Sequence, residues 1–200
     1  DKSRYQTVFA KDEGSVAAPT AGLHFTERVL ERLRHHKVST AELTLHVGLG
    51  TFKPVDVPDA RDHLMHRERI EVQRSELERI FAQLRSPDAL LTVVGTTSLR
   101  TLESLYWFGT HLLKGAEEEE ISCPQWAAFS DGANTSRADA LGAVLSWMES
   151  TSRDTAWGYT SLMLAPGCSI NVADALITNF HQPGNTLLLL VAAFVGKDAW

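Results

Sequence analysis

The sequence has 200 residues, with 19 lysines and arginines against 25 aspartates and glutamates, and only two cysteines. The length allows one large domain or two small ones, and a hydrophobic content of 44% excludes a wholly disordered chain. Two cysteines cannot form a disulfide framework or a cysteine-rich zinc site. The net charge of −6 argues against non-specific nucleic-acid binding over the whole surface, although a local basic patch is compatible with it.

The sequence contains no apolar run of membrane-spanning length. The apolar run at 187–195 is far shorter than the roughly 20 residues that a spanning helix needs. Residues 1–5 are charged and polar, unlike a signal peptide. We therefore expect a cytoplasmic protein.

The first part of the chain predicts a loop, a helix and a strand, in that order. A loop of small apolar residues at 16–25 precedes Thr26, which is placed to cap a helix. Residues 41–47 alternate between apolar and polar, which is typical of a strand. This strand leads into a glycine turn at 48–52.

The middle of the chain predicts two further strand–helix units. A short strand at 69–72 is followed by Ser75–Glu78, which has the pattern of a capping box and opens a helix. The continuous apolar run at 90–94 predicts a strand buried on both faces. The turn at 95–98 leads from this strand into the next helix.

The last part of the chain differs in composition before it returns to the same alternation. We interpret residues 109–156 as a variable, insertion-like region whose acidic run, 117–120, is solvated surface. The elements predicted after that run are a helix at 138–149, strands at 159–164 and 172–178, and a buried helix starting at Asn185 or Thr186. Alternating strands and helices predict a three-layer α/β fold with a mostly parallel or mixed sheet flanked by helices.

Three predicted strand ends carry groups suited to ligand binding. The turn at 95–100 combines a helix N-terminus and hydroxyls with Arg100, a pattern that favours an anion. The turn at 46–52 has two glycines and Phe52, which could stack on a base. The segment 178–181 brings together an amide, an aromatic ring and an imidazole. Each segment can also be interpreted as a structural feature that binds no ligand. These alternatives are a capped helix, an ordinary turn and a polar loop, respectively.

The histidines fall into three groups. His63 and His66 have a spacing that could ligate a metal, but no cysteine or carboxylate pattern completes the set, so no metal site is predicted. His35 and His36 lie at a helix end and are predicted to be on the surface, and His111 lies in the variable region. The remaining candidates for proton transfer lie at element ends, where they could share a cleft: His24, His46 and His181. The residues alone thus indicate an α/β enzyme that binds a small ligand carrying an anionic group.

Several long motifs then occur in a fixed order: 5–10, 14–25, 44–52, 65–66, 95–103, 172–183 and 186–194. In these motifs the sequence closely resembles the S-adenosylmethionine:tRNA ribosyltransferase-isomerase family of queuosine biosynthesis. The resemblance covers nearly the whole chain except about 109–156. It implies transfer and isomerisation of the ribosyl part of S-adenosylmethionine onto 7-aminomethyl-7-deazaguanine at the tRNA wobble position. The product is epoxyqueuosine, and adenine and methionine leave.

This reaction suggests roles for the candidate residues. It needs a base beside the sulfonium and acid help for adenine departure, which we assign to His24, His46 and His181. The other assignments are as follows. Thr96, Thr97, Ser98 and Arg100 hold the methionine carboxylate or a tRNA phosphate; Gly48, Gly50, Thr51 and Phe52 form the wall for a base; Asn179 and Phe180 contact the substrate; and Lys53, His63 and His66 touch tRNA. S-adenosylmethionine is a consumed substrate, so no cofactor or metal is expected.

The resemblance also implies that residues 1–200 are the single α/β catalytic domain of a longer protein. Family members carry a small β-barrel domain that these residues lack, and we expect a monomer that binds S-adenosylmethionine and the tRNA anticodon loop but no membrane. One alternative is a catalytically incomplete fragment that only binds S-adenosylmethionine or tRNA. Another is an unrelated nucleotide-binding α/β enzyme.

Overall fold

The computed structural model describes residues 7–8, 19–47, 56–86, 88–130 and 134–196. Within these residues, strands and helices follow one another in a mixed α/β order. The helices are α1 (Glu27–His35), α2 (Arg74–Leu84), α3 (Thr96–Leu113), α4 (Arg137–Ser150) and α5 (Thr186–Val195). The strands are β1 (Thr44–His46), β2 (Glu68–Gln73), β3 (Thr92–Val94), β4 (Ile121–Cys123), β5 (Thr155–Thr160) and β6 (Ala175–Ile177).

The strands form two sheets. The larger sheet has the order β1-β2-β5-β4, with β2 antiparallel to both β1 and β5 and with β4 parallel to β5. The smaller sheet is the parallel pair β3 and β6. The predicted α/β class, with a mixed sheet flanked by helices, is thereby confirmed.

The core lies between the larger sheet and three helices. Helix α3 is central: it packs against α4, β1, β3 and β4, and its residues Leu99 and Leu105 are fully buried. On the sheet side, Ile70 and Ile121 are also fully buried. At about 25 cal/mol per Å² of apolar surface removed from water, this cluster is the main source of stability.

Polar side chains stabilise the starts of three helices. Thr26 accepts a hydrogen bond from the Val29 amide, as the sequence predicted for α1. Ser136 caps α4 and Asn185 caps α5 in the same manner, by accepting from backbone N–H groups that lack helical partners.

The predicted capping box at Ser75–Glu78 is wrong. Helix α2 begins at Arg74, two residues earlier than a helix capped by Ser75 would begin, and its N-cap residue Gln73 makes no side-chain capping bond. The Arg74 amide instead donates to the Asp154 carbonyl at 2.8 Å. A tertiary contact therefore satisfies the first amide of the helix, whereas the capping box would have involved the amides of Ser75 and Glu78.

Two predicted burial patterns also differ from the structure. Strand β3 is not buried on both faces: Thr92 is exposed, as is Leu90 just before the strand. Helix α5 is apolar all round, but only Leu190 and Ala192 are buried among its residues. Strand β3 belongs to the smaller sheet, which has only two strands to be covered from either side, and α5 packs against α3.

Residues 109–156 form part of the core. This region contributes the end of α3, all of β4 and α4, and the start of β5. Leu141, Val144 and Met148 of α4 are fully buried, and β4 pairs with β5 in the larger sheet. Its acidic run, by contrast, lies at the surface as predicted, with Glu117 and Glu119 exposed.

Candidate active site

The two parallel strands of the smaller sheet end beside the N-terminus of α3. Val94 pairs with Ile177, and the Gly95 amide donates to the Ile177 carbonyl at 2.8 Å. Gly95 has φ 94°, a conformation that a residue with a Cβ rarely adopts, and it turns the chain directly from β3 into α3. The edge thus combines two strand ends with the positive end of an 18-residue helix, where ligands bind in many α/β folds.

Asn179 connects this edge to the 3-10 helix Thr20–His24. The His24 Nε2 lies 3.1 Å from the Asn179 Oδ1, and the Asn179 Nδ2 donates to the Thr20 Oγ1 at 3.0 Å. Because the amide oxygen can only accept, the His24 Nε2 is the donor in this contact, and Nδ1 is then the acceptor of the neutral imidazole. Asn179 thus orients the His24 imidazole through Nε2, and Nδ1 takes no part in that contact.

His181 lies three residues after Thr178 and is held by it. The His181 Nε2 and the Thr178 Oγ1 are 3.1 Å apart. Partial burial lowers the pKa of His181, so its neutral form is favoured at neutral pH. Between Asn179 and His181 in the sequence, the Phe180 ring is fully exposed to solvent. An exposed ring beside a neutral imidazole is suited to a flat ligand that exchanges a proton.

A buried carboxylate positions the chain that leads into β6. Glu103 on α3 accepts hydrogen bonds from the backbone amides of Asn171 and Val172 at 2.9 and 2.8 Å, and from the Asn171 Nδ2 at 3.1 Å. Burial raises the pKa of Glu103 to about 7. Asp174 adds a second support, since it accepts from the Leu91 amide and pairs with Arg137, both at 2.8 Å.

Arg100 lies in the core rather than on a cleft surface. Its side chain is 6% exposed and forms an ion pair with Glu68 of β2, whose side chain is 2% exposed. Burial lowers the pKa of Arg100 to about 10, which leaves the guanidinium charged at neutral pH. The pair therefore connects α3 to the larger sheet through the interior.

The other predicted residues fall into two groups. Around the edge, Thr96 is buried, while Thr97 and Ser98 are partly buried in the first turn of α3. Elsewhere, His46 lies on β1 opposite Arg69, and His63 and His66 precede β2. The predicted residues Gly48, Gly50, Thr51, Phe52 and Lys53 lie outside the described residues.

Among the described residues, the structure brings together one part of the predicted site. His24, Asn179, Phe180 and His181 share one edge with the N-terminus of α3, whereas His46 belongs to the larger sheet. Sequence reasoning missed Thr20, whose only signal was a hydroxyl in the small-residue loop before His24. It also missed Glu103, which looks like any other acidic residue of a helix until its partners are known.

In the described part of the chain, no three histidines, cysteines or acidic residues are grouped to hold a metal ion. Cys123 is buried, and burial raises the pKa of its thiol to about 12, which makes it a poor nucleophile. No helix in the described ranges is long and apolar enough to cross a membrane.

The fold and the site define a mixed α/β domain with a polar, imidazole-bearing edge where its parallel strands end. The family model described as "Queuosine biosynthesis protein" matches residues 1–200. The chain belongs to this family.

Similar proteins carry one name. The chain is 41% identical over 195 residues to an S-adenosylmethionine:tRNA ribosyltransferase-isomerase of Thermosipho africanus, covering 98% of this chain and 45% of the relative. It is 42% identical over 197 residues to the protein of that name in Deinococcus radiodurans, covering 98% of this chain and 42% of the relative. The chain therefore spans less than half the length of either relative.

A solved structure is also similar. The crystal structure of an S-adenosylmethionine tRNA ribosyltransferase from Thermotoga maritima matches with a TM-score of 0.51 and 28% identity. The match covers 89% of this chain and 42% of that one.

Proposed function

We propose that this chain is the α/β catalytic domain of an enzyme that transfers and isomerises the ribosyl part of S-adenosylmethionine onto 7-aminomethyl-7-deazaguanine in tRNA. Epoxyqueuosine would form, with release of adenine and methionine. The observation that carries the proposal is the convergence of His24, Asn179 and His181 beside the N-terminus of α3, in a chain of the queuosine family. The relatives' name adds the substrates S-adenosylmethionine and tRNA.

The edge provides three kinds of group that suit this chemistry. Removing a proton beside the sulfonium needs a base, and either neutral His181 or the His24 Nδ1, which is not the atom that contacts Asn179, can accept one. The methionine carboxylate is an anion, and the first-turn amides of α3 at Thr97 and Ser98 favour an anion. The exposed Phe180 ring is available to stack on adenine or deazaguanine.

The sulfonium of S-adenosylmethionine supplies the electrophilic driving force, so the proposal includes no resident cofactor or metal. It places the enzyme in the cytoplasm as a monomer, with the tRNA anticodon loop as its macromolecular substrate. His63 and His66 remain proposed tRNA contacts, because they lie on the segment that enters β2 and His66 is exposed.

The test is release of adenine from S-adenosylmethionine in the presence of substrate tRNA. Replacing His24 or His181 with Ala should lower the rate at least about 100-fold, the range expected for loss of a general acid or base. His35→Ala is the matched control, since His35 is an exposed histidine at the end of α1 and should turn over normally. Near-normal release by both site variants would contradict the proposal.

The second candidate is a domain that binds S-adenosylmethionine or tRNA without turnover. The helix N-terminus of α3 and the exposed Phe180 ring support it, because both can bind a ligand without proton transfer. Calorimetry with S-adenosylmethionine separates the two functions: binding with no adenine release by the wild-type protein would favour the binding domain.

A further inference from the structure

One face of the larger sheet carries arginines and aromatic rings in alternation. On β2, Ile70 points into the core, so Arg69 points away from it. On β5, Ala156 and Gly158 are buried, which turns Trp157 and Tyr159 outward on the same face. The outer face is therefore chemically unlike the apolar inner face that packs on the helices.

Two cation–π contacts organise this outer face. The Arg67 guanidinium carbon lies 4.2 Å from the centre of the Tyr159 ring, and that of Arg69 lies 5.4 Å from the centre of the Trp157 ring. The two rings meet edge to face, with centres 6.4 Å apart. Together, Arg67, Arg69, Trp157 and Tyr159 form what we call the stacking face.

The stacking face is open to solvent. Trp157 is 39% exposed, and the side chains of Arg67 and Arg69 are 63% and 48% exposed. A protein partner would have to bury these charged groups, which is costly. Flat nucleobases, in contrast, can stack on the rings while the guanidinium groups contact phosphates at the edge.

We propose that the stacking face binds unpaired nucleotides of an RNA substrate. The inference rests on the proposed function for the identity of that RNA as tRNA. Unpaired bases stack on aromatic rings displayed by a sheet, and arginine adds both a planar stacking surface and a charge for phosphate. His46 lies on the same side, opposite Arg69, and residues 63–66 run directly into Arg67. The face thus continues into the segment that holds His63 and His66.

Two acidic side chains now compete for the arginines. Arg67 lies 3.5 Å from Glu120, and Arg69 lies 3.4 Å from Glu71. Exposed ion pairs of this kind contribute little, so a phosphate can displace either carboxylate. Removing one carboxylate should therefore tighten RNA binding, an effect that runs opposite to general damage.

The test measures binding of the intact protein to a fluorescent anticodon stem-loop oligoribonucleotide, with a blunt RNA duplex of equal length for comparison. Trp157→Ala and Tyr159→Ala should each weaken stem-loop binding at least about five-fold, while Trp157→Phe retains most of it. Trp126→Ala is the matched control, because Trp126 is also 39% exposed and pairs with Phe129 instead. Arg69→Gln should lower the salt dependence by about 0.7 in log–log slope, and Glu120→Gln should tighten binding.

The outcomes separate this inference from the proposed function. Normal stem-loop binding by Trp157→Ala and Tyr159→Ala, in a protein that releases adenine, would overturn the stacking face alone. Loss of binding in those variants, in a protein that releases no adenine, would uphold the face and contradict the proposed function. A third outcome is that Trp157 is shielded from acrylamide quenching in the free intact protein and that RNA does not change this quenching. It would show that a protein segment covers the face, and it would overturn the inference.

Discussion

Glu103 and Asn171 lie 68 positions apart, yet the buried carboxylate of Glu103 accepts hydrogen bonds from both the backbone and the side-chain amide of Asn171. The Val172 amide is its third donor. The Glu103 side chain therefore holds the segment that leads into β6. Through β6 it supports the positions of Asn179 and His181, which follow that strand.

The raised pKa of Glu103 predicts a particular pH dependence of stability. The pKa rises from an ordinary 4.5 to about 7 because burial disfavours the charge. As pH rises, the unfolded chain loses the Glu103 proton near pH 4.5, whereas the folded chain holds it until about pH 7. The contribution of protonated Glu103 to the free energy of unfolding is therefore complete below pH 4.5 and declines between pH 4.5 and about 7. We expect the free energy of unfolding to fall across this window by up to about 1.4 kcal/mol per pH unit.

Glu103→Gln serves as the control for that dependence. Glutamine cannot ionise, so the decline attributed to residue 103 should disappear from urea titrations at pH 4.5 to 7.5. An unchanged slope in the variant would show that other groups cause the pH dependence.

Breaking the Arg100–Glu68 pair should destabilise the fold more than it impairs ligand binding. Both side chains are buried, so Glu68→Gln leaves a guanidinium in the interior without its counter-ion. We expect a loss of about 3 kcal/mol or more in the free energy of unfolding, measured by denaturant titration. Combining it with Arg100→Met should recover part of that loss; a double variant as unstable as the sum of both single changes would argue against the pairing.

Helices α3 and α4 approach too closely at Gly109 to admit a side chain. A Cβ there would overlap the Ala140 carbonyl, whereas a Cβ at Gly142 would meet only the Phe81 ring edge, at 3.1 Å. Both glycines lie inside helices, where alanine gains about 1 kcal/mol of propensity. Gly109→Ala should nevertheless lower stability by about 1–3 kcal/mol, and Gly142→Ala should change it little. Thermal denaturation of the two variants checks this; equal midpoints would contradict it.

Asn179 should determine which nitrogen of His24 carries the proton. Its amide oxygen faces the His24 Nε2 because its nitrogen is engaged with Thr20. Nitrogen-15 NMR of neutral His24 should show the Nε2–H form, and Asn179→Leu should give a mixture of both forms. A dominant Nδ1–H form in the wild-type protein would contradict the arrangement. Thr20→Val is expected to weaken the preference without removing it.

Local features were predictable from sequence where a neighbouring residue determines them. Thr26 caps α1 because its own side chain reaches the Val29 amide, and hydrophobic periodicity placed α4 to within one residue at each end. The start of α2 was missed because its first amide is satisfied by Asp154, about 80 positions away in the chain. Such a partner leaves no local pattern.

The candidate site was predictable only as a set of polar residues at element ends. Proximity of His24 to Asn179 depends on a contact across 155 positions, which spacing cannot show. Arg100 and Glu103 lie one turn apart on α3, yet their roles differ because one faces Glu68 and the other faces Asn171. The stacking face was missed because the predicted strand began at residue 159, whereas β5 spans Thr155–Thr160 and also carries Trp157.

The support that Asp174 gives to Leu91 bears on which part of the molecule opens first. That bond joins positions 83 residues apart and holds together the parallel strands β3 and β6. This sheet has only two strands, and in β6 Ile177 is exposed while Ala175 and Leu176 are partly buried. The edge that carries Asn179 and His181 therefore has less buried support than the larger sheet. Under mild heating or denaturant it should be the first part to open, so activity would disappear while α3 and α4 stay packed.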